Sequence, residues 1–165
     1  KLWVGKGEKR AVLIIQWNDG KQPDALAWGY RFDEEVTAFE MIQAITREDD
    51  RLTLLTHETG PMGNTIAGFG YDLNNSGDDY VIYDAEGEEP QYPDGDGCVY
   101  TDAYDYDDWL YSDAEDHWGA AWYKGFWQFY HKFPGKTEWG FSQLGASSLK
   151  IDEDNTWLQF NLTTF

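Results

Sequence analysis

The order of apolar and polar positions along this chain is mostly that of β-structure. Residues 11–17 (Ala-Val-Leu-Ile-Ile-Gln-Trp) form a continuous, β-branched-rich run. Such a run predicts a strand covered on both faces. Asn18-Asp19-Gly20 follows, a strong turn signal. Residues 25–32 then place Leu26, Trp28, Tyr30 and Phe32 on one face and Ala27, Gly29 and Arg31 on the other, which predicts a second strand.

The period then changes to that of a helix. Thr37 and Glu40 have capping-box spacing, and Ala38, Met41, Ile42 and Ile45 recur at i, i+3, i+4, i+7. This predicts one helix over about 37–49 with an apolar stripe toward a core. Strand signals resume at 52–56, 65–71, 80–84, 99–104, 125–133 and 157–162, separated by Gly, Pro, Asn and Asp clusters. About eight strands and one helix predict a mainly β (α+β) fold, an antiparallel β-sandwich or barrel-like sheet with one packed α-helix. No linker or internal repeat divides the chain, so residues 1–165 are expected to form a single domain. Residues 85–97 are expected to form the longest loop.

Composition narrows the picture. No apolar run reaches the length of a membrane-spanning helix. Cys98 is the one cysteine, so no internal disulfide is expected. The chain begins at Lys1 without a leader and reads as a mature or excised piece. The formal net charge is −19, which opposes binding to nucleic acid or an anionic membrane surface. Of the 31 acidic residues, 17 lie between Arg51 and Lys124, a stretch with no Lys or Arg; the remainder carries 12 basic against 14 acidic residues. The charge is thus a local field that a cation would relieve.

Two constellations are candidates for chemistry. In Asp72-Leu73-Asn74-Asn75-Ser76-Gly77-Asp78, oxygen-bearing side chains at loop positions 1, 3 and 5 and Gly at 6 match the opening of a calcium loop. Asp72, Asn74, Ser76 and Asp78 are therefore the candidate Ca2+ ligands. Tyr83 stands at position 12, where such a loop needs a bidentate Glu. Asp79 or Asp84 is the candidate replacement, with Asp94 and Asp96 a weaker version of the same idea. The alternative is a plain Asn-Asn-Ser-Gly hairpin turn between strands 65–71 and 80–84.

The second constellation is residues 100–130, of which 12 are aromatic, interleaved with Asp102, Asp105, Asp107, Asp108, Asp113, Glu115 and Asp116. Flat rings beside carboxylates suit a ligand surface, because rings stack on ligand faces while carboxylates accept hydrogen bonds. Tyr106, Trp109, Tyr111, Trp118 and Trp122 are the candidate ligand contacts, with exposure expected for the last four, and Phe126 and Phe129 are assigned to the core. His117 is a further candidate contact or axial metal ligand. Arg31, over a small-residue face, is either a ligand anchor or an ion-pair partner of Asp33, Glu34 or Glu35. The histidines lack metal spacing, and no nucleophile elbow, phosphate loop or zinc-protease motif occurs. No catalytic residue and no organic cofactor are expected.

Several segments together resemble a domain of secreted and surface proteins of Bacteroidota-type bacteria. They are Trp3-Val4-Gly5, Trp17-Asn18-Asp19-Gly20, Trp28-Gly29-Tyr30-Arg31-Phe32, the helix 37–45, Gly68-Phe69-Gly70-Tyr71-Asp72, the Trp/Tyr-rich stretch 122–130 and Trp139-Gly140-Phe141-Ser142. The resemblance implies an extracellular or outer-membrane location. It also implies association with an outer-membrane uptake complex, with corrinoid (vitamin B12) capture as a task. The leading expectation is a non-enzymatic surface module that captures a bulky nutrient, corrinoid or glycan. A calcium-stabilised adhesion module and a glycan-active hydrolase are the alternatives.

Overall fold

The computed structural model describes residues 2–57, 63–83 and 88–165. The fold is mainly β with one helix, as the periodicities predict. The larger sheet has six strands in the order β1 (Leu2–Gly5), β3 (Ala25–Phe32), β2 (Lys9–Gln16), β14 (Thr156–Thr164), β11 (Gly125–Lys132) and β12 (Gly140–Phe141). Among the described residues it does not close into a barrel. It is also mixed, since β1 runs parallel to β3 and β14 runs parallel to β2. The central strand β2 is paired on both edges and covered on its faces, which is why it reads as an unbroken apolar run.

The helix α1 (Ala38–Glu48) follows the short strand β4 (Val36–Thr37), which pairs with β13 (Lys150–Ile151). Its predicted capping box is formed. Thr37 Oγ1 accepts the Glu40 N–H at 3.1 Å, and Glu40 Oε1 accepts the Thr37 N–H at 3.3 Å. Two otherwise orphaned donors are satisfied in this way. Met41, Ile42 and Ile45 are fully buried, and the helix packs against β1, β3 and β5 (Leu52–His57).

The second sheet runs β10 (His117–Ala120), β6 (Ile66–Tyr71), β5 and β8 (Cys98–Thr101). Phe69 of β6 joins the two sheets, its ring meeting Trp127 at 5.2 Å and Phe160 at 5.5 Å. Its carbonyl accepts the buried Trp17 indole N–H at 2.8 Å. Leaving that donor unmet would cost about 1–3 kcal/mol. The far face of this sheet carries a second apolar cluster, Leu55, Ala67, Val81, Val99, Tyr106 and Trp109. A ribbon of β7 (Val81–Tyr83) and β9 (Trp109–Tyr111) covers it, together with a 3-10 turn, Tyr106–Asp108. The molecule is therefore layered, with the helix and the six-stranded sheet on one side of the four-stranded sheet and the ribbon on the other.

Two local expectations are corrected. Strands 65–71 and 80–84 do not form a hairpin. β6 pairs with β5 and β10, and β7 pairs with β9, because Val81 is drawn into the cluster on the outer face. Arg31 makes no ion pair with Asp33, Glu34 or Glu35 among the described residues. Trp3 lies over Gly29, where a Cβ would approach its ring to 2.4 Å, and the Arg31 guanidinium sits 5.1 Å from the Trp3 ring centroid. The small-residue face thus accommodates an indole, and the arginine covers it by a cation–π contact. Among the described residues, no helix is long and apolar enough to cross a membrane.

Candidate functional site

The interleaved aromatic and acidic segment divides in the folded chain. Trp109 and Tyr106 are buried under the ribbon. Tyr111 stacks on Trp118 at 5.2 Å with an interplanar angle of 3°, and its hydroxyl meets Thr53 Oγ1 at 3.2 Å. Trp118 is half-buried and donates its indole N–H to the Trp109 carbonyl at 2.9 Å. The exposure expected of Trp109, Tyr111 and Trp118 is therefore corrected. In β9 the side chains alternate, so Leu110 is exposed while Trp109 points into the outer cluster. The neighbouring acids sit on the flanking turns, so they do not report the exposure of these rings. His117 is fully buried: its Nδ1 lies 2.8 Å from Asp19 Oδ2 and its Nε2 2.7 Å from the Pro23 carbonyl oxygen.

Trp122 is the one expected exposed ring that is exposed, at 45%. Beside it stands Tyr104, also 45% exposed, with ring centroids 5.0 Å apart at 36°. Tyr106 lies beneath both, at 5.8 Å from each. Trp122 is presented by a tight turn capped from afar. The Asp107 carboxylate accepts the N–H groups of Trp122, Tyr123 and Lys124 at 2.7–3.2 Å. Burial pushes this carboxyl up, but the three N–H groups outweigh it and hold the group below the ordinary aspartate range. Tyr104 and Trp122 open onto a cleft of about 480 Å³ between the two sheets, floored by Phe129 and Phe160. Asn64, Gln143 and Ser148 supply its polar rim. Among the described residues, no charged side chain lines it. Tyr104 and the amide rim were missed in the sequence, because only the fold brings β11, residue 64 and residues 142–148 to one place.

The expected calcium loop is placed differently. Asn74, Ser76 and Asp78 are exposed, and Asn74 Oδ1 accepts the Ser76 N–H at 3.1 Å, so that side chain closes its own turn. Asp72 turns inward and is buried. It meets Asp79, one of the two replacements expected from the sequence, and Asp116, which was not considered as a metal ligand; each contributes an oxygen within 4.8 Å of the others. Burial, followed by the adjoining Asp116, pushes the Asp79 carboxyl up to about 7. Asp84 lies outside the described residues. Asp94 and Asp96 are engaged elsewhere: Asp94 Oδ1 accepts the N–H groups of Asp96 and Cys98, and Asp96 pairs with Arg47 at 2.7 Å.

Comparison with known proteins adds no neighbour: no family model, no curated protein and no solved structure matches this chain.

Proposed function

We propose that this chain is a non-catalytic ligand-binding domain that takes a neutral glycan in the cleft at Tyr104 and Trp122. The observation that carries this reading is an aromatic cleft that, among the described residues, no charged side chain lines, in a protein of net charge −19. Two half-exposed rings present flat faces on which a sugar ring stacks, while Asn64, Gln143 and Ser148 offer donors and acceptors for hydroxyl groups. The volume falls within the range of small-molecule sites, about 300–1,000 Å³. Of the two nutrient classes implied by the sequence, glycan is favoured over corrinoid. A corrinoid's amide rim calls for carboxylate acceptors, and the acids of residues 102–116 do not line this cleft. Binding is favoured over hydrolysis for the same reason, since glycoside cleavage is ordinarily carried by paired carboxylates. The resemblance to surface proteins makes an extracellular or outer-membrane location, and service to an uptake complex, part of the same proposal.

Affinity electrophoresis on a panel of neutral polysaccharides, with cyanocobalamin followed by visible absorption, tests it. Retardation by a neutral glycan, abolished by Trp122→Ala and Tyr104→Ala, is the expected result. Both changes remove exposed rings, so melting temperature should move little. Retardation unaffected by either change, or a spectral shift with cyanocobalamin alone, would overturn the assignment.

A further inference from the structure

We propose that Asp72, Asp79 and Asp116 form a binding site for a hard divalent cation, calcium in the first instance, that pins the β7–β9 ribbon to the four-stranded sheet. Each of the three carboxylates places an oxygen within 4.8 Å of the other two. Counting donors gives the second observation. Asp72 is served on both oxygens, by the N–H groups of Ser76 at 3.1 Å and Gly77 at 2.9 Å. Asp116 has no exposed surface, and its Oδ1 accepts the Leu73 N–H at 2.9 Å. Its Oδ2 is buried with no hydrogen-bond donor among the described residues. Asp79 repeats the arrangement: Oδ1 accepts the Ser112 hydroxyl at 3.0 Å, while Oδ2 is buried with no donor among the described residues, beside the Asp116 carboxyl. Buried carboxylate oxygens normally have donors or a cation.

The basic side chains that reach this corner bond to main-chain oxygens instead. Lys21 Nζ donates to the carbonyl of Asp116. Arg51 donates to the carbonyls of Asp72 at 2.8 Å and Leu73 at 3.1 Å. They steady the backbone on either side of the triad.

The donor set selects the ion. Three carboxylates are hard oxygen ligands, suited to calcium, magnesium or manganese and unsuited to thiophilic metals. Calcium binds oxygen at about 2.3–2.6 Å in flexible geometry, so one ion spans oxygens at these separations. Magnesium, at about 2.0–2.1 Å, demands near-ideal octahedral geometry, a stricter condition than calcium sets. An entry path exists, because Asp72 and Asp79 line a surface cavity of about 260 Å³ that Asp78 and Asp94 also border. The site shares no residue with the lining of the glycan cleft, so the two proposals stand independently.

The test is calorimetric titration and thermal melting of chelator-stripped protein with Ca2+, Mg2+ and Mn2+. One-to-one binding and a rise of several degrees in melting temperature are expected with Ca2+, since a ligand of the folded state alone must stabilise it. Asp116→Asn and Asp79→Asn should each weaken binding at least tenfold and remove most of the rise. Their chelated forms should melt no lower than the chelated wild type, because each change relieves like-charge repulsion. Terbium luminescence of the unaltered protein, sensitised by Tyr111 and Trp118 beside the triad and quenched by added Ca2+, gives a readout that needs no variant. Response to Mg2+ or Mn2+ instead, lost in the same variants, would keep the site and change its ion. No response to any of the three ions would overturn the proposal. So would undiminished binding in both variants, which would place the ion elsewhere on the acidic surface.

Discussion

Trp17 and His117 lie face to face in the core, their ring centroids 4.3 Å apart and their planes within 3°. Trp17 follows β2 of the larger sheet and His117 opens β10 of the smaller, so the stack joins the two layers. Both imidazole nitrogens are engaged, one by the Asp19 carboxylate and one by the Pro23 carbonyl. The 17–24 connection is thereby anchored to the second sheet. His117 has no open face in this position for the ligand contact or axial metal ligand expected of it.

His117→Ala is accordingly expected to destabilise the fold by about 2–4 kcal/mol, combining a cavity in the core with the loss of the hydrogen bonds to Asp19 and Pro23. Urea unfolding at neutral pH measures it. A loss below about 0.5 kcal/mol would mean that the stack contributes little.

Tyr106 gives the opposite expectation. Its ring is fully buried, and its hydroxyl has no hydrogen-bond partner among the described residues. Burial raises the phenol well above its ordinary value. Tyr106→Phe removes an unsatisfied polar atom without altering the ring packing, and should leave stability unchanged or raise it by up to about 1 kcal/mol. Thermal melting of the variant checks this, and a fall of several degrees would point to a partner for the hydroxyl in solution.

Acid should release the turn that presents Trp122. The folded Asp107 carboxyl is held below its ordinary value of 3.8 by backbone N–H groups, against the opposing effect of burial. A depressed acid stabilises the folded state at pH above the unfolded value, and that contribution is lost as pH falls through the folded value. The amide resonances of Trp122, Tyr123 and Lys124 should thus titrate together with a midpoint below 3.8. Asp107→Asn should abolish that shared transition. Three unrelated midpoints would show that the carboxylate does not hold the turn.

Cys98 should be inert in the native protein. It is buried, and burial, aided by the Asp94 charge, pushes its thiol up to about 11. The thiolate is the reactive form, so a thiol reagent at pH 8 should label Cys98 only at the rate of unfolding. Rapid labelling without denaturant would show that the β5–β8 edge opens locally.

Much of the fold was legible because its signals are local. The capping box at Thr37 and Glu40, the alternation of 25–32 and the apolar run of 11–17 each lie within a few consecutive residues. The short strands β1, β4, β9, β10, β12 and β13 were not identified, since two to four residues are too few to establish a period. The aromatic segment was misjudged for a related reason. Composition identifies Trp109 and Trp122 as large rings beside acids, but not which sheet face each will meet.

Local order along the chain set the secondary-structure class, the one helix and its start, the acidic field, and Asp72 as a candidate ligand. Tertiary structure decided the rest: which strands pair, which rings are buried, and which carboxylates meet. Periodicity is carried by neighbouring residues, whereas the triad of Asp72, Asp79 and Asp116 and the cleft at Tyr104 and Trp122 depend on chain crossings between distant segments. Those crossings follow from burying the faces of two sheets at once, a balance over the whole core that no single segment encodes.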